Sequence, residues 1–523
     1  MFDLLIRNGT VIDGTRAPRI RADVGINGDR ISAIGDLQAG TARREIDAAG
    51  KIVAPGFVDV HNHSDGWLLK KPHLTCKTTQ GFTTEVLMAD GISYAPVTSD
   101  TVDEWLFYLR ALNALRLDEY LGWESLADYL DVLDRKTAQN FAVHVPYANV
   151  RANSCGWGRH HPDDLQMRVM KRAIAEGMEQ GAVGLSTGLD YIAQCFSTTE
   201  ELIAASSAMA AQQGLYVTHV RYKQGTLAGV KEAVEIGKRA NVPVHISHLK
   251  GTTPADIEAI LTYIDSTARH EVDFSFDVYP YLPGSTMLNY LLPYEVWEDG
   301  PIGVLPRLRE PAVRRHFAEA LEAYQLGLDG IHIAWLPGKE NSKHQGQLLG
   351  EYILETGLPP ADALCNLLIE ERLAVLLVFH QGDDKLVRPF LQHDLFMMGT
   401  DGIYHEDGVI HPRVYGSVGR FLGPLIRDDQ LFSLEEAVYK LAGHAARRFG
   451  LKDRGELKVG KLADVVVFDP ETVTDHATFQ DPHRPTTGIE QVLVNGDPVV
   501  IDGQPREDFS AGYPGRAIRR GQG

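Results

Sequence analysis

Along residues 2–56, apolar and polar positions alternate in short runs, LLIRNGTVIDG, ADVGINGDRISAIG and EIDAAGKIVAPG, broken by Asn-Gly, Gly-Asp and Ala-Gly pairs. A period of two punctuated by turn dipeptides predicts β-hairpins. The rhythm changes at Gly56. Apolar runs of four to eight residues then alternate with helical patterns such as 164–180 and 228–240, and strand alternating with helix predicts parallel βα units. Candidate strands fall at 57–63, 82–89, 141–147, 182–187, 215–220, 242–249, 272–278 and 394–400, with LAVLLVFH (373–380) as a further contender. About eight such units predict an α/β chain built on a (β/α)8 barrel of the TIM type. Residues 285 to about 345 are irregular and Pro-rich and read as an insertion or lid. From Leu457 short strands and turns return, so the expected division is a small β domain made from 1–56 and 456–523, enclosing a barrel of 57–455.

Composition narrows the functions this fold could serve. The 523 residues are 44% hydrophobic, enough for one large core, and carry a formal net charge of -19. Basic residues cluster only near the C-terminus (Arg516, Arg519, Arg520), which argues against nucleic acid and anionic membrane and favours a small-molecule substrate. Cys76, Cys155, Cys195 and Cys365 are scattered without ligand-pair spacing, as expected of reduced thiols in a cytoplasmic protein. The opening MFDLLIRNG lacks the apolar stretch of a signal peptide, and no segment approaches the roughly 20 apolar residues of a membrane span. A homo-oligomer is left open.

The candidate chemistry lies at the predicted strand ends. In GFVDVHNHSDG (56–66) an extended chain turns Asp59, His61 and His63 to one face, so two imidazoles two residues apart can grip one metal ion. His219 follows LYVT, His248 follows VPVHIS and Asp401 follows LFMMGT, each at the carboxyl end of its run, where (β/α)8 enzymes assemble their sites. Imidazoles and carboxylates make zinc the first choice of cofactor, as one or two ions, with manganese, iron and cobalt as other divalent candidates. Asp90 ends the apolar run Val86-Leu87-Met88-Ala89, where a buried carboxylate needs a partner or a metal. Lys250 shares the strand face of His248 and Arg413 follows Asp401, a cationic pair suited to an anionic substrate. Glu85, Arg151, His160 and His161 fit no site geometry; His144, at a strand end, is the strongest of the remainder.

The set Asp59-Xaa-His61-Xaa-His63, His219, His248 and Asp401, enclosed by IRNGTVIDG and GELKVGKLADVVVFD, resembles the amidohydrolase superfamily. Within it GAVGLSTGLDY, VTHVR, ISHLKG, DVYPYLPGST, GTDG, HPRVYGSVGRFLG and the terminal YPGRAIRR look like the N-acyl-D-amino-acid deacylases, or D-aminoacylases. The resemblance implies a metal-bearing barrel, a β-sandwich from both chain ends, and hydrolysis of an amide. It implies that Lys250, Arg413, Tyr279 and Ser285 bind the α-carboxylate of the substrate and that Tyr191 lies near the acyl carbonyl. The chain departs from that family where a metal-binding Cys stands in an Asn-Cys-Gly triplet, because here the triplet is Ala89-Asp90-Gly91. The expected division is Asp90, His219 and His248 around one metal, with His61, His63 and Asp401 around a second position or the catalytic water. Asp401 is expected to take the proton from water and return it to the leaving amine. A cyclic amidase of the hydantoinase or dihydroorotase kind, or a lactonase, is the alternative within the superfamily.

Overall fold

The strand runs predicted from Gly56 onward pair in parallel in the computed structural model, which describes residues 1–324, 327–380 and 382–521. Gln325 and Leu326 of the expected insertion and Gln522 and Gly523 of the expected C-terminal β segment lie outside the described residues. Phe57–Asp59 pairs with Phe82–Leu87, and that strand with Asn140–Val143. A second parallel sheet starts at Val145–Pro146 and runs through Gly184–Gly188, Leu215–His219, Val244–Ile246 and Phe274–Val278 to Phe396–Met398. Val183 N donates to Val143 O (2.9 Å) and Val60 N to Met398 O (3.3 Å), so backbone hydrogen bonds join the two sheets at both ends.

Every residue of these strands is buried, because both faces are covered. Val58, Val86, Val217 and Met397 pack in one cluster, whereas Phe82, Phe141, Tyr216 and Phe276 belong to a second that includes helix side chains. A fully buried side chain of this size contributes about 1.5–3 kcal/mol. The helical patterns become Asp164–Glu179 and Thr226–Ala240. The first is started by Asp163, whose carboxylate accepts from Gln166 N while Gln166 reaches back, a capping box that satisfies two orphan donors.

LAVLLVFH does not join the parallel strands. Its Leu376–Phe379 is the central strand of a separate antiparallel sheet, between Gly284–Met287 and Ile331–Trp335. A strand covered on both faces is apolar throughout whichever direction its neighbours run, so its composition could not tell the two sheets apart. This sheet extends from Gly284 to Phe379, past the limit of about 345 expected for the irregular stretch.

Both chain ends enter one nine-stranded sheet. Its hinge is Ile52–Pro55, parallel to Phe2–Val11 and antiparallel to Val465–Phe468. Leu4, Ile6, Val24, Val53, Val465 and Leu493 make its core. The C-terminal tail runs beneath the parallel strands, with Ile518 N donating to Phe141 O and Arg520 N to Gly181 O. The basic residues there are spent locally, Arg516 on Asp29 (2.8 Å) and Arg519 on Asp131 (2.5 Å). Among the described residues no helix is long and apolar enough to cross a membrane, and Cys76, Cys155, Cys195 and Cys365 are free and buried.

Candidate metal centre and substrate pocket

The carboxyl ends of the parallel strands converge on one buried cluster. Asp401 N donates to His61 O (2.7 Å) and His63 N to Gly402 O (3.1 Å), so the chain after Phe57–Asp59 is zipped to the chain after Phe396–Met398. Three candidate ligands sit on left-handed backbone: Asp90 at φ 56°, His248 at φ 36° and Asp401 at φ 49°. Non-glycine residues keep such conformations only where their surroundings over-determine them, and they concentrate at functional sites. At Asp90 the constraint is visible. Gln194 Nε2 donates to Asp90 O (2.8 Å), Gly91 N donates to Ser186 Oγ (3.2 Å), and a Cβ on Gly188 would stand 2.4 Å from Asp90 O.

Two groups of ligand atoms result, each with its atoms within 4.8 Å of one another: His61, Asp90 and His248, and His61, His63 and Asp401. Asp90 faces both groups. Its Oδ1 is 3.5 Å from His61 Nε2 and 3.7 Å from His248 Nε2, while its Oδ2 is 3.6 Å from His63 Nε2. Asp401 Oδ1 lies 3.2 Å from His63 Nε2 and 3.7 Å from His61 Nε2. His219 adjoins the first group through its Nδ1, 3.1 Å from His248 Nε2. The arrangement is more continuous than the division expected from sequence, because His61 stands in both groups.

The carboxylates of the cluster stay ionised despite their burial. Burial by itself would keep His61 neutral, but Asp90 and Asp277 on either side raise its pKa well above the ordinary range. Burial likewise opposes the charge on Asp90, yet His61 and His248 hold its pKa well below the usual value. Burial opposes the charge on Asp401 too, and Arg413 leads the neighbours that lower its pKa. His248, also buried, is depressed to about 4 and is therefore a neutral imidazole at neutral pH. Among the described residues His61 Nε2 and Asp90 Oδ1 are fully buried without a hydrogen-bond partner. Orphaned atoms of this kind are rare in a folded interior. Imidazole nitrogens and carboxylate oxygens converging within a few ångström fit a zinc-type divalent ion.

Three supporting residues escaped the sequence reading. Asp277 accepts from His245 Nε2 (2.9 Å) and from His248 N (2.9 Å), and its Oδ2 is 3.7 Å from His61 Nδ1. Asp190 faces His219 Nε2 at 3.4 Å and accepts from the Tyr290 and Tyr294 hydroxyls (3.1 and 2.5 Å). Carboxylates behind histidines fix ring orientation and tautomer at metal sites. Lys77, buried, donates to Asp59 (2.6 Å) and Thr400 (2.8 Å), tying the first strand to the loop that carries Asp401. Asp277 stands near the end of the strand Phe274–Val278 and Asp190 two residues past Gly184–Gly188, so both shared the strand-end signal; Lys77, on a four-residue helix, had none.

A pocket of about 410 Å³ opens on the cluster, with His63, His219, His248 and Asp401 in its lining. Lys250, Ser285 and Tyr191 line it as well. Lys250 Nζ donates to Tyr279 OH (2.9 Å), Ser285 Oγ is committed to Leu377 O (2.7 Å), and Tyr191 OH meets Thr286 Oγ1 (3.1 Å). Arg413 is fully buried behind this wall, its guanidinium 4.4 Å from the Tyr279 ring centroid and its Nη1 2.8 Å from Asp401 Oδ2. Of the residues without an assigned geometry, Arg151 pairs with Glu201 (2.8 Å), Glu85 accepts from Ser64 (2.6 Å), and His160 and His161 are exposed. Burial lowers the buried His144 to about 3.

Histidines and aspartates on the ends of parallel strands, two ligand groups and a pocket beside them define a hydrolase of the amidohydrolase class. The sequence model described as Amidohydrolase family matches residues 44–275 and 391–500, and the chain belongs to that family. The unmatched interval contains the antiparallel sheet of residues 284–379. The chain is 36% identical over 526 residues to an N-acyl-D-glutamate deacylase of Alcaligenes xylosoxydans xylosoxydans, covering 99% of this chain and 97% of that protein. It is 34% identical over 524 residues to a D-aminoacylase of the same organism, at 99% and 98% coverage. A crystal structure of N-acyl-D-glutamate deacylase from Bordetella bronchiseptica, complexed with zinc and a phosphonate mimic of the tetrahedral intermediate, matches with TM-score 0.84 at 33% identity over 99% of each chain.

Proposed function

We propose that this chain is a metal-dependent deacylase that hydrolyses the amide of N-acyl-D-amino acids to a carboxylate and a free D-amino acid. The observation that carries the reading is the pair of ligand groups sharing His61, with Asp401 in one of them and both beside a pocket that holds Lys250. Full-length similarity to two deacylases of this kind supports it. The fold is read as a (β/α)8 barrel over 57–455 carrying the antiparallel excursion, with a β-sandwich from 1–56 and 456–523. Free, buried thiols support a cytoplasmic location.

His61, Asp90, His219 and His248 would hold one ion, and His61, His63, Asp90 and Asp401 would flank a second position. Zinc, when bound, supplies Lewis acidity that polarises a carbonyl and brings the pKa of water from about 15.7 towards roughly 7. Asp401, kept ionised by Arg413, accepts the proton from the attacking water and delivers it to the amide nitrogen, which cannot leave as an anion. Asp190 holds the His219 ring in register, and Asp277 anchors His248 through its backbone N. Lys250 presents its ammonium to the substrate α-carboxylate, with Tyr279, Ser285 and Arg413 packed behind it, while Tyr191 borders the acyl group.

The test is a hydrolysis screen of acetyl and formyl D- and L-amino acids beside hydantoins, dihydropyrimidines and lactones, before and after chelation and metal restoration. Turnover of the D-amides alone, lost on chelation and restored by zinc, is expected. Turnover confined to cyclic substrates, or untouched by complete metal removal, overturns the reading.

A further inference from the structure

One cation in the pocket has no task in the mechanism above. Lys223 lines the pocket from the loop that follows Leu215–His219, and its ammonium is enclosed by rings, 4.5 Å from the Tyr290 centroid, 4.8 Å from Tyr294 and 5.2 Å from Tyr324. An ammonium has three donors. Among the described residues its recorded hydrogen bond is to Tyr290 O (2.6 Å). The nearby carboxylate is already committed: Asp190 accepts from Tyr290 OH, Tyr294 OH and the backbone N of Lys223 and faces His219, so among the described residues no carboxylate closes on the ammonium itself. Burial lowers Lys223 to about 8 against the pull of Asp190, which leaves it cationic at neutral pH. Lys250 and its neighbours Tyr279 and Arg413 form a different cluster. The pocket therefore offers two separate positive groups, where one α-carboxylate needs a single cluster.

We infer that Lys223 is a specificity residue that receives an anionic group on the substrate side chain, so that the preferred substrates are N-acyl derivatives of acidic D-amino acids. The inference rests on the deacylase reading and specifies its substrate class. The aromatic cage supplies the selectivity: an ammonium held among rings strongly favours a carboxylate over a neutral isostere, because the neutral group leaves the charge incompletely compensated.

The experiment compares kcat/KM for N-acetyl-D-glutamate, N-acetyl-D-aspartate, N-acetyl-D-glutamine and N-acetyl-D-norvaline in the zinc-loaded parent, Lys223→Gln and Lys223→Arg. The parent is expected to prefer D-glutamate or D-aspartate over D-glutamine by about tenfold or more, the discrimination a charged hydrogen bond gives. Lys223→Gln should bring that ratio to about one and Lys223→Arg should keep most of it. The parent ratio tests the inference whether or not a variant folds: turnover of the panel with no acidic preference, or a preference that survives Lys223→Gln, overturns the role of Lys223 and leaves the deacylase reading standing. Failure to turn over any N-acyl-D-amino acid overturns both.

Discussion

Replacing Lys77 by Met removes the only positive charge among the described residues that pairs with the Asp59 and Glu85 carboxylates. Lys77 Nζ is 2.6 Å from Asp59 Oδ2 and 3.7 Å from Glu85 Oε2, and the three side chains are 2%, 0% and 0% exposed, so solvent screens none of them. Breaking a buried pair by deleting one partner costs about 3–5 kcal/mol, since the surviving charge stays in the interior. Here the survivors keep other donors. Asp59 retains Thr400 N (2.8 Å) and Thr400 Oγ1 (2.7 Å), and Glu85 retains Ser64 Oγ (2.6 Å) and Gln139 Nε2 (2.8 Å), which places the expected loss near the lower end, about 3 kcal/mol. Adding Asp59→Asn should recover at least about 1 kcal/mol of it by removing one surplus charge. The loss also depends on pH. Burial, resisted mainly by Lys77, raises the Glu85 carboxyl above its ordinary range, so the folded state binds that proton more readily than the unfolded chain. Stability from this group is present at low pH and declines as pH rises through the raised value. Without Lys77 the value rises further, and the deficit should be larger at pH 8 than at pH 6. Urea unfolding followed by tryptophan fluorescence, compared at constant m, measures both effects. A single variant within about 0.5 kcal/mol of the parent, or a double variant less stable than the single, would refute this account of the buried charges.

Three further expectations concern the site. Asp401→Asn should lower kcat by about 10²–10⁴-fold, the range for a positioned general base; undiminished kcat in single-turnover assays removes Asp401 from proton transfer. Asp90→Ala should empty the site as read by metal analysis of the purified protein, because one carboxylate faces both ligand groups, and Asp90→Cys should retain at least one ion; an unchanged metal content in Asp90→Ala denies the ligand role. Lys250→Met should raise KM by about tenfold or more for N-acyl-D-amino acids, a charge-assisted contact being lost, while the matching α-amides change little. Equal effects on acids and amides would argue against α-carboxylate recognition.

Much of this site could be read from the chain because its residues share one position in a repeating pattern. His61, His63, His219, His248 and Asp401 each follow an apolar run, and a run long enough to be a strand delivers whatever follows it to the same rim. The parallel strands were legible for the same reason. What lies beyond such a pattern is contact between distant segments: Lys77 reaches Asp59 and Thr400 from a four-residue helix, and no local period marks it. Leu376–Phe379 illustrates the complementary limit, since an apolar run announces a covered strand without naming its neighbours. The sharing of His61 between two groups is likewise a matter of how segments distant in sequence meet, Asp90 and Asp401 approaching one imidazole nitrogen from different strand ends.

The sheet built from both chain ends has a bearing on how the protein is made. Ile52–Pro55 leaves the ribosome before all of residues 56–464, yet one of its edges is destined for Val465–Phe468. Until Val465–Phe468 is made that edge, Ile-Val-Ala-Pro, lacks its partner strand, and an apolar edge with unpaired backbone groups is suited to adhering to a neighbouring nascent chain. Completion of the sheet waits for Gln504–Pro505 and docking of the tail for Ile518 and Arg520, so a chain arrested just before them has every candidate metal ligand already encoded while its seam is still open.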